Sequence, residues 1–194
     1  MNVADNMRLP SPGLLGLVYF VSELLLAITR RSRKSESSAK DRHSLSFLWI
    51  AILVSLWGGV AAAVFWRGAA LPYKYAFAIA GLMIFIAGLM LRWYAIVKLG
   101  RFFTVNVAIA KDHQLIESGP YRFVRHPSYT GALLAFLGIS LSLGNWAAVI
   151  IIMAPIFLAF VYRMQVEERA LTGALGEQYC SYLDRTKRLI PLIY

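Results

Sequence analysis

The chain has 194 residues and carries too few charges for an ordinary soluble domain. Hydrophobic residues make up 59% of it and charged residues only 15%, whereas soluble domains average about a quarter. The net charge of +10 does not indicate nucleic-acid binding, because the basic residues lie between apolar runs rather than along one face. The single cysteine, Cys180, excludes an internal disulfide and a multi-cysteine metal site. We therefore expect residues 1–194 to form one integral membrane domain.

The first three predicted elements are membrane-spanning helices. A span needs about 20 predominantly apolar residues, and the segments 12–29, 46–66 and 75–97 meet this length or nearly so. The first segment carries Glu23 and the third carries Arg92. Because isolated charges are costly inside a bilayer, the sequence predicts a structural ion pair between these two residues.

A hairpin of two further spans follows. Residues 128–162 contain no charged side chain, and a single helix of that length would be about 50 Å long, against a bilayer core of about 30 Å. Gly144 and Asn145 provide turn chemistry near the middle. We therefore predict a tight hairpin of spans 128–143 and 146–163, which completes an all-α, multi-pass membrane bundle of about five helices.

The distribution of basic residues predicts the orientation of these spans. Residues 30–42 hold six Lys/Arg, residues 98–125 hold five and the tail from residue 163 holds five, whereas the opposite side has three. Cytoplasmic loops of membrane proteins carry the excess of positive charge. The N-terminus is therefore predicted outside, with the C-terminus and the polar loops in the cytoplasm.

A cluster of polar residues marks the start of the fourth span. The step Arg125-His126-Pro127 comes directly before the long apolar run. Proline suits a first helical position, where no backbone donor is lost. The free N–H groups of that first turn and the positive end of the helix dipole are then expected to face whatever binds beside His126.

Arg163 and Glu167 lie one helical turn apart at the end of the fifth span. The ordinary interpretation is an exposed ion pair, worth a few tenths of a kcal/mol. The functional interpretation is a pocket in which the arginine serves an anionic ligand group and the glutamate a cationic one.

Two common ligand-binding patterns are absent from the sequence. His113 and His126 lie 13 residues apart without a cysteine or a carboxylate partner, so they do not form a metal-binding pattern. Neither a G-x-G-x-x-G step after a strand nor a P-loop occurs. A nucleotide-like cofactor would therefore bind without a Rossmann domain.

The second half of the chain resembles the isoprenylcysteine carboxyl methyltransferase family. The resemblance rests on HQLIESGPYRFVRHPSYTG, EERAL and GEQYCSYLDRTKRLIP, and covers residues 99–191. It implies an integral membrane methyltransferase that uses S-adenosylmethionine in a pocket formed by the cytoplasmic loop and tail. The resemblance assigns the cofactor to Asn106, His113, Gln114, Leu115, Ile116, Tyr121, His126, Pro127, Ser128, Tyr129 and Glu167. It assigns substrate binding to Arg163 and makes Arg163 and Glu167 the catalytic residues.

The reaction implied by this resemblance is carboxyl methylation of a hydrophobic or lipid-linked acid, such as a prenylcysteine-like acid. Such an acceptor is already ionised, so the protein needs no general base and works by alignment and partial desolvation. The implied partners are a lipophilic acceptor that enters from the bilayer and membrane lipid, with neither nucleic acid nor metal.

Three alternatives stay open at this point. A phospholipid amine N-methyltransferase would need a base, for which Glu168 is the nearest candidate. A nicotinamide-dependent, sterol-type reductase has a related membrane half. A non-enzymatic membrane scaffold has no need of the whole motif set. Binding of S-adenosylmethionine, a nicotinamide or neither separates the methyltransferases from the other two.

Overall fold

The computed structural model describes residues 9–29, 39–103 and 115–194. Within these ranges the chain is all-α, with no β-sheet, which confirms the predicted fold class. The helices are α1 Pro12–Thr29, α2 Ala39–Phe65, α3 Lys74–Leu99, α4 Pro127–Ser142, α5 Trp146–Leu175 and α6 Glu177–Arg185. Short 3-10 turns cover Arg67–Ala69, Gly100–Phe102 and Gly119–Arg122.

Helices lie at all five positions where spans were expected, but their lengths differ. By length and composition, four are able to cross a membrane, namely α1, α3, α5 and the part of α2 from His43 onward. Helix α4 has 16 residues and is about 24 Å long, shorter than the bilayer core of about 30 Å. Helix α5 has 30 residues and is about 45 Å long, so its last turns, which follow the predicted span 146–163, project beyond the apolar region.

The predicted hairpin between α4 and α5 is present. Gly144 at its turn has φ +65°, a conformation that glycine adopts without strain. The Asn145 side chain caps α5 by accepting a hydrogen bond from the Ala148 amide at 3.1 Å. Its Nδ2 donates to the Trp66 carbonyl at 2.9 Å. One asparagine therefore starts α5 and fixes the hairpin to the loop that follows α2.

Helices α3 and α4 are in direct backbone contact along a seam of four glycines. A β-carbon at Gly131 would lie 2.6 Å from the Gly88 carbonyl oxygen, and one at Gly138 would lie 2.4 Å from the Gly81 carbonyl oxygen. Only glycine fits at so close an approach, as in other membrane helix pairs with small interfacial residues. Helix α3 packs mainly on α4, and α2 packs mainly on α5.

The predicted ion pair between Glu23 and Arg92 is confirmed. Arg92 Nε lies 2.7 Å from Glu23 Oε1, and Nη2 lies 2.8 Å from Oε2, so the contact is bidentate. Arg92 Nη1 also donates to the Ser128 carbonyl at 3.1 Å. The pair therefore connects α1 and α3 to the first turn of α4.

The predicted orientation is tested by labelling cysteines from outside the membrane. Cys180 is exposed on α6, so in the parent protein it should react with an impermeant maleimide only after the membrane is opened. Gly68 lies in the loop after α2, and a side chain added there would meet no other atom within 4 Å of its β-carbon. Gly68→Cys in a Cys180→Ser background should therefore react without opening. Asn145 is unsuitable as a reporter because it is 2% exposed. The opposite labelling pattern would show that the N-terminus lies in the cytoplasm and the C-terminus outside, contrary to the prediction.

Candidate active site

Two cavities adjoin where α4 begins and α5 projects beyond the apolar region. The first, here called the tail cavity, contains about 500 Å³ of empty space, part of which is open to solvent. It is lined by Leu99, Phe102, Leu115, Ile116, Tyr121, Arg125, His126, Glu167, Leu171, Tyr179 and Tyr182. The second, the helix cavity, contains about 550 Å³ of empty space, part of which is open to the surroundings. It is lined by Tyr19, Glu23, Leu26, Leu45, Leu48, Trp49, Ile52, Arg92, Phe103, Tyr129, Phe160 and Arg163.

Three buried tyrosines shape the tail cavity. The Tyr121 hydroxyl donates to the Ala95 carbonyl at 3.3 Å, and the Tyr182 hydroxyl donates to the Tyr121 carbonyl at 2.6 Å. Tyr179 lies beside Tyr182, with ring centroids 5.9 Å apart. Burial raises the pKa of all three phenols above their usual range, so they are neutral at physiological pH. The cavity therefore presents uncharged aromatic rings together with the Glu167 carboxylate and the Arg125 guanidinium, whose charge is paired with Glu168.

Glu168 is the centre of a charged cluster behind this cavity. Its Oε1 lies 3.0 Å from Arg125 Nε and 3.2 Å from His126 Nε2, and its Oε2 lies 2.8 Å from Arg188 Nη2. Burial alone would raise the pKa of Glu168, but the hydrogen bonds with His126 and Arg188 outweigh it and lower the pKa to about 2. Glu168 is thus an ionised structural anchor.

The C-terminal tail pairs with the Arg-His step and closes one side of the tail cavity. The Arg125 amide donates to the Lys187 carbonyl at 2.8 Å, and the His126 amide donates to the Arg188 carbonyl at 3.0 Å. This corrects the expectation of free amides beside His126. The tail takes the His126 N–H and proline has none, so the first turn of α4 offers a ligand fewer donors than the sequence suggested.

The helix cavity combines an apolar wall with a cationic end. Leu26, Leu48 and Ile52 are buried on α1 and α2 and face it. At the other end, Arg163 is 2% exposed and its Nη1 donates to Ser44 Oγ at 2.6 Å. Because Arg163 is buried, an exposed ion pair with Glu167 on a solvated helix face is excluded.

Tyr129 lies between the two cavities. Its hydroxyl donates to Glu167 Oε2 at 2.7 Å, and its ring stacks on His126 with centroids 5.3 Å apart. The same ring packs against Phe160, with centroids 5.1 Å apart. A single side chain therefore joins an acidic residue of the tail cavity to the wall of the helix cavity.

The site residues expected from the family resemblance are distributed over both cavities. The tail cavity contains Leu115, Ile116, Tyr121, His126 and Glu167, and the helix cavity contains Tyr129 and Arg163. Pro127 and Ser128 are buried in the first turn of α4 and line neither cavity. Asn106, His113 and Gln114 lie outside the described residues. The ligand contacts of all these residues stay predictions.

Many residues that line the cavities were not among the expected site residues, and three polar ones among them are Tyr179, Tyr182 and Arg92. Tyr179 and Tyr182 lie three positions apart on α6, and both are buried toward the tail cavity. Their spacing already indicates one helix face. Arg92 was expected only as an ion-pair partner, yet it also lines the helix cavity. Nothing local in the sequence signals that role, because it depends on the packing of α1, α3 and α4.

The sequence is similar to known proteins over nearly the whole length of the chain. The family model for the isoprenylcysteine carboxyl methyltransferase (ICMT) family matches residues 80–173. Protein-S-isoprenylcysteine O-methyltransferase B of Arabidopsis thaliana is 30% identical over 182 residues, which are 92% of this chain and 91% of the relative. Protein-S-isoprenylcysteine O-methyltransferase A of the same plant is 28% identical over 191 residues, covering 97% and 95%.

A solved structure shares the fold. It is described as the eukaryotic intramembrane Ras methyltransferase ICMT, and it superposes with a TM-score of 0.61 at 24% sequence identity. The match covers 94% of this chain and 65% of that one. The plant relative that is 30% identical over nearly the full length of both chains shows that this chain belongs to the isoprenylcysteine carboxyl methyltransferase family.

Proposed function

We propose that this membrane carboxyl methyltransferase takes its methyl group from S-adenosylmethionine in the tail cavity. The acceptor is the carboxylate of a lipophilic, prenylcysteine-like acid in the helix cavity. The observation that supports this most directly is the contact between the cavities. Tyr129 of the helix cavity is bonded to Glu167 of the tail cavity at 2.7 Å, so two ligands of different polarity would meet across one side chain.

The residues of the tail cavity fit a cationic donor. When bound, S-adenosylmethionine supplies an electrophilic methyl group on a sulfonium. Neutral tyrosine rings such as Tyr121 and Tyr179 attract a cation over their faces. Glu167, whose side chain is 30% exposed, can form a charge-assisted hydrogen bond with the amino group of the donor. The aromatic rings and one carboxylate thus bind and orient the donor.

The residues of the helix cavity fit an amphipathic acid. The apolar wall formed by Leu26, Leu48 and Ile52 accepts a hydrocarbon tail. The buried Arg163 guanidinium can bind the carboxylate through its fork of donors, and Ser44 holds that guanidinium in place. Burial strips water from the acceptor oxygen, and alignment supplies the rest of the rate enhancement.

The amine methyltransferase alternative is disfavoured by the geometry. Such an enzyme needs a base to remove a proton from the amine, and Glu168 was the nearest candidate. Hydrogen bonds with His126 and Arg188 hold Glu168 ionised and lower its pKa to about 2, so it is a weak base. The cationic end of the helix cavity also suits an anionic acceptor better than an ammonium group.

Both ligands would use the cytoplasmic side of the membrane under the predicted orientation. The donor enters from the cytoplasm, and the acceptor enters from the bilayer. Membrane lipid then surrounds the apolar helices, and the lipophilic acceptor reaches the helix cavity through it.

Two experiments test the proposed function. The first measures cofactor binding, and the second measures which of several acceptors is methylated. We expect the purified protein to bind S-adenosylmethionine and its demethylated product but not a reduced nicotinamide, by isothermal titration calorimetry. Labelled methyl groups should then pass to a farnesylcysteine-type acid and give a base-labile ester. The amide of that acid and phosphatidylethanolamine serve as matched non-acidic acceptors. Binding of the nicotinamide, or methylation of the amine lipid instead of the acid, would contradict the proposal.

A further inference from the structure

Tyr129 makes contacts on both sides of the boundary between the cavities. Toward the tail cavity, its ring stacks on the His126 imidazole with planes 8° apart, and its hydroxyl donates to Glu167 at 2.7 Å. Toward the helix cavity, its ring packs on Phe160, and it lines that cavity together with Arg163. The hydroxyl therefore lies where a donor in one cavity and an acceptor in the other have to meet.

Two groups compete for Glu167 under the proposed function. The Tyr129 hydroxyl already uses Oε2 in a short O–H···O⁻ bond, which is one of the stronger types of hydrogen bond. A cationic donor would pair with the same carboxylate. A donor that draws this carboxylate further into the tail cavity would loosen or replace the bond from Tyr129.

We propose that Tyr129 is a latch that couples the two cavities, an inference that rests on the proposed function. With the donor site empty, its hydroxyl holds Glu167. When Glu167 turns to the donor, the hydroxyl is released. It then joins Arg163 in hydrogen-bonding the acceptor carboxylate, so the acceptor site is completed only after the donor is bound.

The geometry allows this exchange without movement of the tyrosine ring. His126 and Phe160 pack against the ring. Arg163 and Glu167 are one turn apart on α5; Glu167 accepts the bond from the Tyr129 hydroxyl, and Arg163 lines the helix cavity together with Tyr129. The Glu167 side chain is the partly exposed member, so the exchange needs only this side chain to turn.

The substitution Tyr129→Phe tests the latch, because it keeps the ring and removes the hydroxyl. We expect the affinity for S-adenosylmethionine to increase by about tenfold, since the donor no longer competes for Glu167. Turnover of the carboxylate acceptor should fall by a similar factor because one of its hydrogen-bond donors is lost. The two measurements are calorimetric affinity and initial methyl-transfer rate, with thermal stability recorded alongside.

Two further variants separate the latch from a packing effect. In a Glu167→Gln background, adding Tyr129→Phe should give no increase in donor affinity, because the carboxylate for which the two groups compete is already gone. Tyr162→Phe is the matched control. Tyr162 lies on α5 next to Arg163 and is 43% exposed. Its ring packs edge-on against Phe47, with ring centroids 6.0 Å apart. We expect its affinity and turnover to equal those of the parent.

The measurements distinguish failure of the latch from failure of the proposed function. A Tyr129→Phe variant that binds S-adenosylmethionine as the parent does, or more weakly, overturns the latch and leaves the proposed function intact. A parent protein with no measurable affinity for S-adenosylmethionine overturns the proposed function and the latch with it.

Discussion

Replacing Arg92 by methionine is expected to lower the free energy of unfolding by about 3–5 kcal/mol. The change leaves Glu23 as an uncompensated carboxylate on α1, at a position where its side chain is 12% exposed. Glu23→Leu should act in the same way by leaving the guanidinium without its partner. The double variant should be more stable than either single variant, because it removes both charges and keeps apolar volume. The measurement is unfolding of the purified protein in detergent, with the double-mutant cycle evaluated from it.

A second ion pair in the same protein is the control for this experiment. Arg185 Nη2 lies 3.2 Å from Glu117 Oε1, but the two side chains are 57% and 37% exposed. Arg185→Met should therefore cost at most about 1 kcal/mol. A Glu23/Arg92 double variant whose loss equals the sum of the two single losses would show that the pair does not act as a unit.

Arg163 and Glu167 are expected to separate in their effects on binding and turnover. Glu167→Gln should weaken S-adenosylmethionine binding by about 1.5–3 kcal/mol, or roughly 10- to 100-fold, because a charged hydrogen-bond partner is lost. Arg163→Lys should leave that affinity nearly unchanged and lower turnover, because an ammonium cannot reproduce the guanidinium fork that orients a carboxylate. Donor affinity and methyl-transfer rate are measured for both variants.

Exposed residues nearby provide matched controls for these two substitutions. Arg169 is exposed on α5 and Glu177 is exposed at the start of α6, and neither lines a cavity. Arg169→Lys and Glu177→Gln should retain the affinity and rate of the parent. If Arg163→Lys and Glu167→Gln behave like these controls, the two cavities do not hold the ligands proposed for them.

The helices could be predicted from the sequence because the signals for them are local. Apolar length located α1 to α5, and Gly144 marked the turn of the hairpin. The end of α5 was not predicted, because the residues after 163 are charged and end the apolar run, yet they continue the helix to Leu175. Hydropathy reports where a helix leaves the bilayer and not where it ends.

One long-range pairing was predicted from the sequence, whereas the arrangement of the site into two cavities was not. Glu23 and Arg92 could be paired because a buried charge in a membrane needs a partner. The division into two cavities could not be predicted, because it depends on the packing of α5 against α2 and of the tail against Arg125. The donor positions Asn106, His113 and Gln114 stay predictions.

The glycine seam had a signal in the sequence that could have been used. Gly81 and Gly88 are seven residues apart on α3, and Gly131 and Gly138 have the same spacing on α4. Matched heptad spacing of small residues on two neighbouring apolar helices indicates close packing. The glycine content alone does not indicate the seam, because the other ten of the 14 glycines lie outside the contact between α3 and α4.

This seam also determines which parts of the protein can move. The seam glycines of α3 and α4 have no side chains that could absorb a relative shift, so we expect the two helices to move as one rigid unit. Helix α1 makes its main packing contacts with α4 and lines the helix cavity through Tyr19, Glu23 and Leu26. If the helix cavity widens toward the bilayer, we therefore expect α1 to move relative to this unit, while the start of α4, with His126 and Tyr129, keeps its position.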